Sequence, residues 1–132
     1  MHRIEHRIIY ADTDAGQVVY YANYFKLFES GRRELLRSLK IDLHAIQKKN
    51  ILTPVVEAHC NYSAPARYDD VVVVETKIAK ITEKSIRFEN KICRKKDSKL
   101  LASGYTVNVF VDGKKMESIK IPDNVKKKLK LG

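Results

Sequence analysis

The sequence predicts an α+β fold, a curved antiparallel sheet wrapped around one long central helix. Three observations carry this reading. Tyr21 to Leu39 repeats its apolar residues at helical spacing, the segments after it alternate or run in β-branched residues, and the turns between those segments are short and polar. With 132 residues, 44% of them hydrophobic, the chain can bury a core without disulfide or metal staples. The expectation is a single domain over 1–132, with a core from about 3 to 112 and a basic tail from about 113 to 132.

Residues 3 to 10 alternate like a strand, and Ala11 to Gly16 supply turn residues. In the helix that follows, Tyr21, Tyr24, Phe25, Phe28, Leu35, Leu36 and Leu39 share one face with Gly31, opposite Lys26, Ser30, Arg33, Glu34 and Arg37. Glycine costs a helix about 1 kcal/mol relative to alanine, so Gly31 on the apolar face signals close approach to a sheet. A second short helix is expected around Asp42 to Lys49. Four strands follow. Ile51 to Tyr62 sets Val56, Ala58, Cys60 and Tyr62 on one face, with Pro54 early in the strand. Asp70 to Thr82 carries the run Val71 to Val74, expected to be buried on both faces or at an interface. Ser85 to Arg94 turns Ile86, Phe88 and Ile92 inward, and Leu100 to Val111 groups Val107, Val109 and Val111. Glu83-Lys84 and Lys95 to Ser98 suit antiparallel hairpins. Pro122 to Leu131 reads equally as a short helix or a loose tail.

Lys+Arg number 26 against Asp+Glu 16, a formal net charge of +10, gathered in Arg94-Lys95-Lys96, Lys99, Lys114-Lys115, Lys126 to Lys128 and Lys130. Such clusters serve solubility or attract a polyanion. No zinc-finger spacing, KH-type loop, RNP-like aromatic strand or arginine-rich stretch is present, so no specific nucleic acid partner is expected. No apolar run approaches the roughly 20 residues a bilayer span needs, and no signal peptide opens the chain, so the expected compartment is the cytoplasm. Cys60 and Cys93 read as reduced thiols. His2, His6, His44 and His59 form no metal-ligand spacing, and no metal or other cofactor is expected. A serine elbow and a P-loop are both lacking.

The stretch from Tyr10 to Tyr24 places Asp12, Asp14 and Gly16 between a strand and the start of the long helix. Free N–H groups at a helix start stabilise an oxygen gaining negative charge, and a nearby carboxylate can deprotonate water or attack a carbonyl. The same residues also suit a plain turn, with both aspartates capping backbone N–H groups.

Tyr10, Asp12, Thr13, Asp14, Gly16, Val19, Tyr20 and Tyr24, continued by Glu29 and Arg32 and by the loop Tyr62 to Asp70, resemble the hotdog-fold thioesterases of the YbgC-like and 4-hydroxybenzoyl-CoA thioesterase group. The resemblance runs from about Ile4 to Val111. It implies hydrolysis of an acyl-CoA to free acid and CoA, with Asp14 as nucleophile or general base and the Tyr21 N–H polarising the thioester carbonyl. Tyr10 would shape the site, Gly16 and Gln17 would border the acyl group, and Asp12 would serve the turn. Arg67 and the Arg94, Lys95 and Lys96 cluster would meet CoA phosphates or an acidic acyl carrier protein. Glu29 is the second-choice carboxylate, with a surface ion pair to Arg33 as its alternative role. Tyr21 stands where many YbgC-like members carry His, and Gln17 where a second Gly is common, so the resemblance does not fix the acyl group. It further implies a homodimer or homotetramer with each site at a subunit interface. A non-catalytic acyl-CoA or acyl-carrier binder is the rival function.

Overall fold

The computed structural model describes residues 1–132. Strands β1 (His2–Arg7), β4 (Val71–Ile81), β5 (Ser85–Arg94), β6 (Leu100–Val109) and β3 (Val55–Tyr62) form one sheet in the order β1-β4-β5-β6-β3. Every neighbouring pair is antiparallel. Helix α1 (Asn23–Ser38) lies across β1, β4 and β5. Two-residue strands β2 (Ile51–Leu52), β7 (Val111–Asp112) and β8 (Glu117–Ser118) make a small second sheet, and helices α2 (Leu43–Lys48) and α3 (Asp123–Leu129) complete the chain. No helix is long and apolar enough to cross a membrane.

Helix α1 buries Tyr24, Leu27, Phe28, Gly31, Leu35 and Leu36. Gly31 is needed for this contact, because a Cβ there would collide with Thr76 Oγ1 and stand 3.0 Å from Val74 Cγ1. The core divides in two. One cluster gathers Ile8, Tyr24, Phe28, Val72, Val74, Ile92 and Leu101 around the first half of α1; the other gathers Leu35, Leu36, Ile86, Phe88, Phe110, Val125 and Leu129 around its second half. The inner face of the sheet also carries four buried polar residues: Thr76 and Asn90, paired across β4 and β5 between the clusters, and Thr106 and Asn108, opposite Phe88 and Ile86 of the second cluster. Thr76 Oγ1 donates to Asn90 Oδ1 at 2.9 Å, while Asn90 Nδ2, Thr106 Oγ1 and Asn108 Oδ1 have no partner.

Five expectations need correction. The first strand ends at Arg7 rather than near residue 10, because Tyr10–Asp12 tightens into a 3-10 turn. The strand expected over Ile51 to Tyr62 breaks at Thr53-Pro54 into β2 and β3, which join different sheets; proline supplies no N–H to continue the ladder. Val56, Ala58 and Tyr62 stay exposed, because β3 is the edge of the sheet and α1 crosses the other side. On β6 the inward positions are Thr106 and Asn108, followed by Phe110, while Val107 and Val109 are only half-buried. Val111, grouped with them by spacing, is instead buried, because the chain leaves β6 there to form β7. Finally, the core does not end near residue 112: of the two readings for Pro122 to Leu131 the short helix holds, as α3. Ile121, Val125 and Leu129 join the second core cluster, and Lys128 Nζ donates to the Lys40 carbonyl at 3.0 Å.

Candidate active site

The loop between β1 and α1 is built around Asp12. Its Oδ2 accepts from the Ile9 N–H at 3.0 Å and lies 3.1 Å from His6 Nε2, while its carbonyl accepts the Tyr20 N–H and Asn23 Nδ2, both at 2.9 Å. Burial alone would raise the Asp12 pKa, but the Ile9 N–H and His6 outweigh it and hold the carboxyl below its ordinary value. Asp12 therefore ties the strand end to the helix start.

Beyond it the chain pairs Thr13 with Val19, leaving Asp14 to Gln17 as an exposed tip. The Asp14 N–H reaches the Val18 carbonyl at 3.0 Å, and the Gln17 N–H returns to the Asp14 carbonyl at 2.9 Å. Asp14 Oδ1 accepts the Gly16 N–H at 2.8 Å. A Cβ on Gly16 would stand only 3.1 Å from that oxygen, so the glycine lets the carboxylate fold down onto the turn. Gln17 occupies a left-handed conformation, φ 64°, which is why glycine is favoured at such a position. The Tyr20 hydroxyl is raised above its ordinary pKa, first by the neighbouring Tyr21 hydroxyl and last by the charge of Asp14.

No side chain caps α1, whose N-cap position is Ala22. The first turn satisfies itself with 3-10-type bonds: Asn23 N–H to Tyr20 (2.8 Å), Tyr24 N–H to Tyr21 (3.4 Å) and Phe25 N–H to Ala22 (3.2 Å). The N–H groups of Tyr21 and Ala22 are left without a main-chain acceptor. Tyr62, at the end of β3, donates its hydroxyl to the Tyr21 carbonyl at 2.9 Å. Burial, then the adjacent Cys60, pushes the Tyr62 pKa up to about 12, so the hydroxyl keeps its proton at neutral pH. The Tyr62 ring packs edge-on against Tyr24 at 5.3 Å and Tyr21 at 6.4 Å.

Among the expected site residues, Asp14, Gly16, Gln17 and Tyr21 share this loop and helix start. Tyr10 is 79% exposed and leans edge-on against Tyr68 at 6.2 Å. The basic cluster divides. Arg94 pairs with Asp70 (3.4 Å) and Asp97 (2.9 Å) and donates to the Pro65 carbonyl (3.2 Å); Lys95 pairs with Glu5 at 3.0 Å. These two side chains are engaged within the fold, whereas Arg67 and Lys96 are exposed and form no ion pair. Glu29 lies elsewhere, on the wall of a cavity of about 310 Å³ that also includes Arg32, Arg33, Leu36, Phe88 and Asn108. Its expected ion pair with Arg33 does not form; Glu34 and Arg37 pair instead at 3.1 Å. No group of three or more His, Cys, Asp or Glu side chains could hold a metal ion. Asn23 and Tyr62 were not legible as site residues, since each acts through a main-chain carbonyl, Tyr62 from 41 residues away.

An exposed carboxylate on a loop and unpaired N–H groups at the helix start it leads into are group types that can activate a nucleophile and stabilise a carbonyl oxygen. Residues 10–129 match the Thioesterase-like superfamily. The chain is 37% identical over 122 residues to the acyl-CoA thioesterase YbgC of Haemophilus influenzae, covering 91% of this chain and 88% of that protein. It is 25% identical to the 4-hydroxybenzoyl-CoA thioesterase of a Pseudomonas species, covering 90% of each. The solved structure of a gentisyl-coenzyme A thioesterase superposes with a TM-score of 0.85 at 29% identity, covering 94% of this chain and 98% of that one.

Proposed function

The chain belongs to the thioesterase-like superfamily and has the hotdog fold, and from that premise we propose that it hydrolyses an acyl-CoA to free acid and CoA through Asp14. What supports this reading is an exposed Asp14 carboxylate on the loop that leads into a helix start whose Tyr21 N–H lacks an acceptor. As general base, Asp14 takes a proton from water while the water oxygen bonds to the thioester carbon. The carbonyl electrons move onto oxygen, which faces the Tyr21 N–H; collapse then breaks the C–S bond, and the thiolate recovers the proton. As nucleophile, the Asp14 carboxylate itself bonds to that carbon and expels the thiolate, and water cleaves the resulting anhydride. An oxyanion donor of this kind contributes about 3–4 kcal/mol. Relatives named for acyl-CoA, 4-hydroxybenzoyl-CoA and gentisyl-CoA substrates support a CoA thioester as the substrate class.

The working form in this reading is a homo-oligomer, dimer or tetramer, joined through β3. That edge strand exposes Val55, Val56 and Tyr62, and Tyr62 bonds to the carbonyl of the exposed Tyr21. A second copy there would cover both the open strand and the apolar rim of the site. Arg67 and Lys96 are the exposed cations suited to CoA phosphates. Thiol release from a panel of short, long, branched and aromatic acyl-CoAs tests the activity, and Asp14→Asn is expected to lower kcat by about a hundredfold or more with the fold retained. Full activity in that variant removes Asp14 from the mechanism, and ligand stabilisation without turnover across the panel favours a binding protein.

A further inference from the structure

Two successive peptide planes form the start of α1, and each has an unpaired N–H. The plane joining Tyr20 to Tyr21 is held by the Asn23 N–H on its carbonyl at 2.8 Å, leaving the Tyr21 N–H open. The plane joining Tyr21 to Ala22 leaves the Ala22 N–H open, and its carbonyl is held differently. The helix offers it only the long 3.4 Å bond from Tyr24; the short bond, 2.9 Å, comes from the Tyr62 hydroxyl of β3. We propose that Tyr62 is a positioning residue, whose hydroxyl fixes the Tyr21–Ala22 peptide so that the Ala22 N–H serves as a second oxyanion donor beside that of Tyr21. This rests on the thioesterase reading above and adds to it a residue that acts through the Tyr21–Ala22 peptide.

The argument is electrostatic and geometric. A hydrogen bond received at the carbonyl end of an amide polarises it and strengthens the N–H at the other end. The same bond stops the plane from rotating, so the donor is in place before charge develops. Alanine at the N-cap leaves this arrangement undisturbed, where Ser, Thr, Asp or Asn would offer its own acceptor to the first-turn N–H groups. Ring packing against Tyr21 and Tyr24 sets the position of Tyr62, and phenylalanine would retain that packing. The hydroxyl retains its proton during the reaction; its part is to donate a hydrogen bond.

The test is a series at position 62 of phenylalanine, tyrosine and fluorotyrosines of rising hydroxyl acidity, used below the pH at which each ring ionises. Tyr62→Phe should lower kcat about tenfold with KM little changed. Across the tyrosines, kcat and the ¹⁵N–¹H chemical shift of the Ala22 amide should rise together with hydroxyl acidity, which a packing role would not produce. Replacing Ala22 by lactic acid, which exchanges only the N–H for oxygen, should lower kcat by about 10²–10³. An unchanged Ala22 shift across the series, or an unchanged kcat in Tyr62→Phe or the lactic acid variant, overturns the proposal. Failure of the wild type on every acyl-CoA would instead count against the thioesterase reading, and the Ala22 shift would still decide whether Tyr62 controls that amide.

Discussion

Asp12 and Asp14 stand two residues apart, and their environments separate their roles. Asp12 is half-buried and receives the Ile9 N–H and His6; Asp14 is exposed and receives only the Gly16 N–H. Because the folded-state pKa of Asp12 lies below its ordinary value of 3.8, its ionised form contributes stability that is fully present above that value. The contribution is lost as pH falls through the lowered folded pKa. In thermal unfolding from pH 6 to pH 2, the gap between wild type and Asp12→Asn should hold steady at the upper end and narrow below pH 4. A gap independent of pH would show that the carboxylate charge contributes nothing. The motif itself was legible because its members are close in sequence and their spacing reports one loop. Arg94 and Lys95 were not legible as structural ties, since their partners include Asp70 and Glu5, 24 and 90 positions away by numbering.

Helix α1 was readable from periodicity because its apolar face is continuous, and Gly31 announced the close approach to β4. The hairpins β4-β5 and β5-β6 were readable from their short polar turns. Strand β3 was not, because alternation identifies a strand without revealing whether anything covers it. Its exposed valines are the basis for expecting self-association. Val56→Asp places a charge on the open edge and should shift the protein from an oligomer to a monomer in sedimentation, with loss of most thioesterase activity. An unchanged oligomer would place the interface elsewhere. Helix α3 was legible only as one of two readings for a different reason: four lysines within Lys126 to Lys130 mask the spacing of Val125 and Leu129, which nevertheless turn into the core.

At the scale of the whole molecule, the order β1-β4-β5-β6-β3 could not be read from local pattern, because pairing β1 with β4 joins residues such as His2 and Thr76. The excess of cations is spread over both engaged and free side chains, so net charge describes the partner poorly and the position of each residue describes it better. The polar residues of the sheet's inner face, the Thr76–Asn90 pair between the clusters and Thr106 and Asn108 beside the second, have a consequence of this larger kind. Apolar packing is interrupted there, and three polar atoms lack partners. The two halves of the interior should therefore breathe as separate cooperative units. Hydrogen exchange should show α3 and the second half of α1 opening together, at lower protection than β4 and β5 around Val72, Val74 and Ile92. Thr106→Val, which replaces an unpaired hydroxyl with a methyl of similar shape, should raise stability by about 1 kcal/mol and bring the exchange of the two halves closer together. In the native protein the loop between β1 and α1 would thus sit on the firmer unit while the far end remains free to loosen.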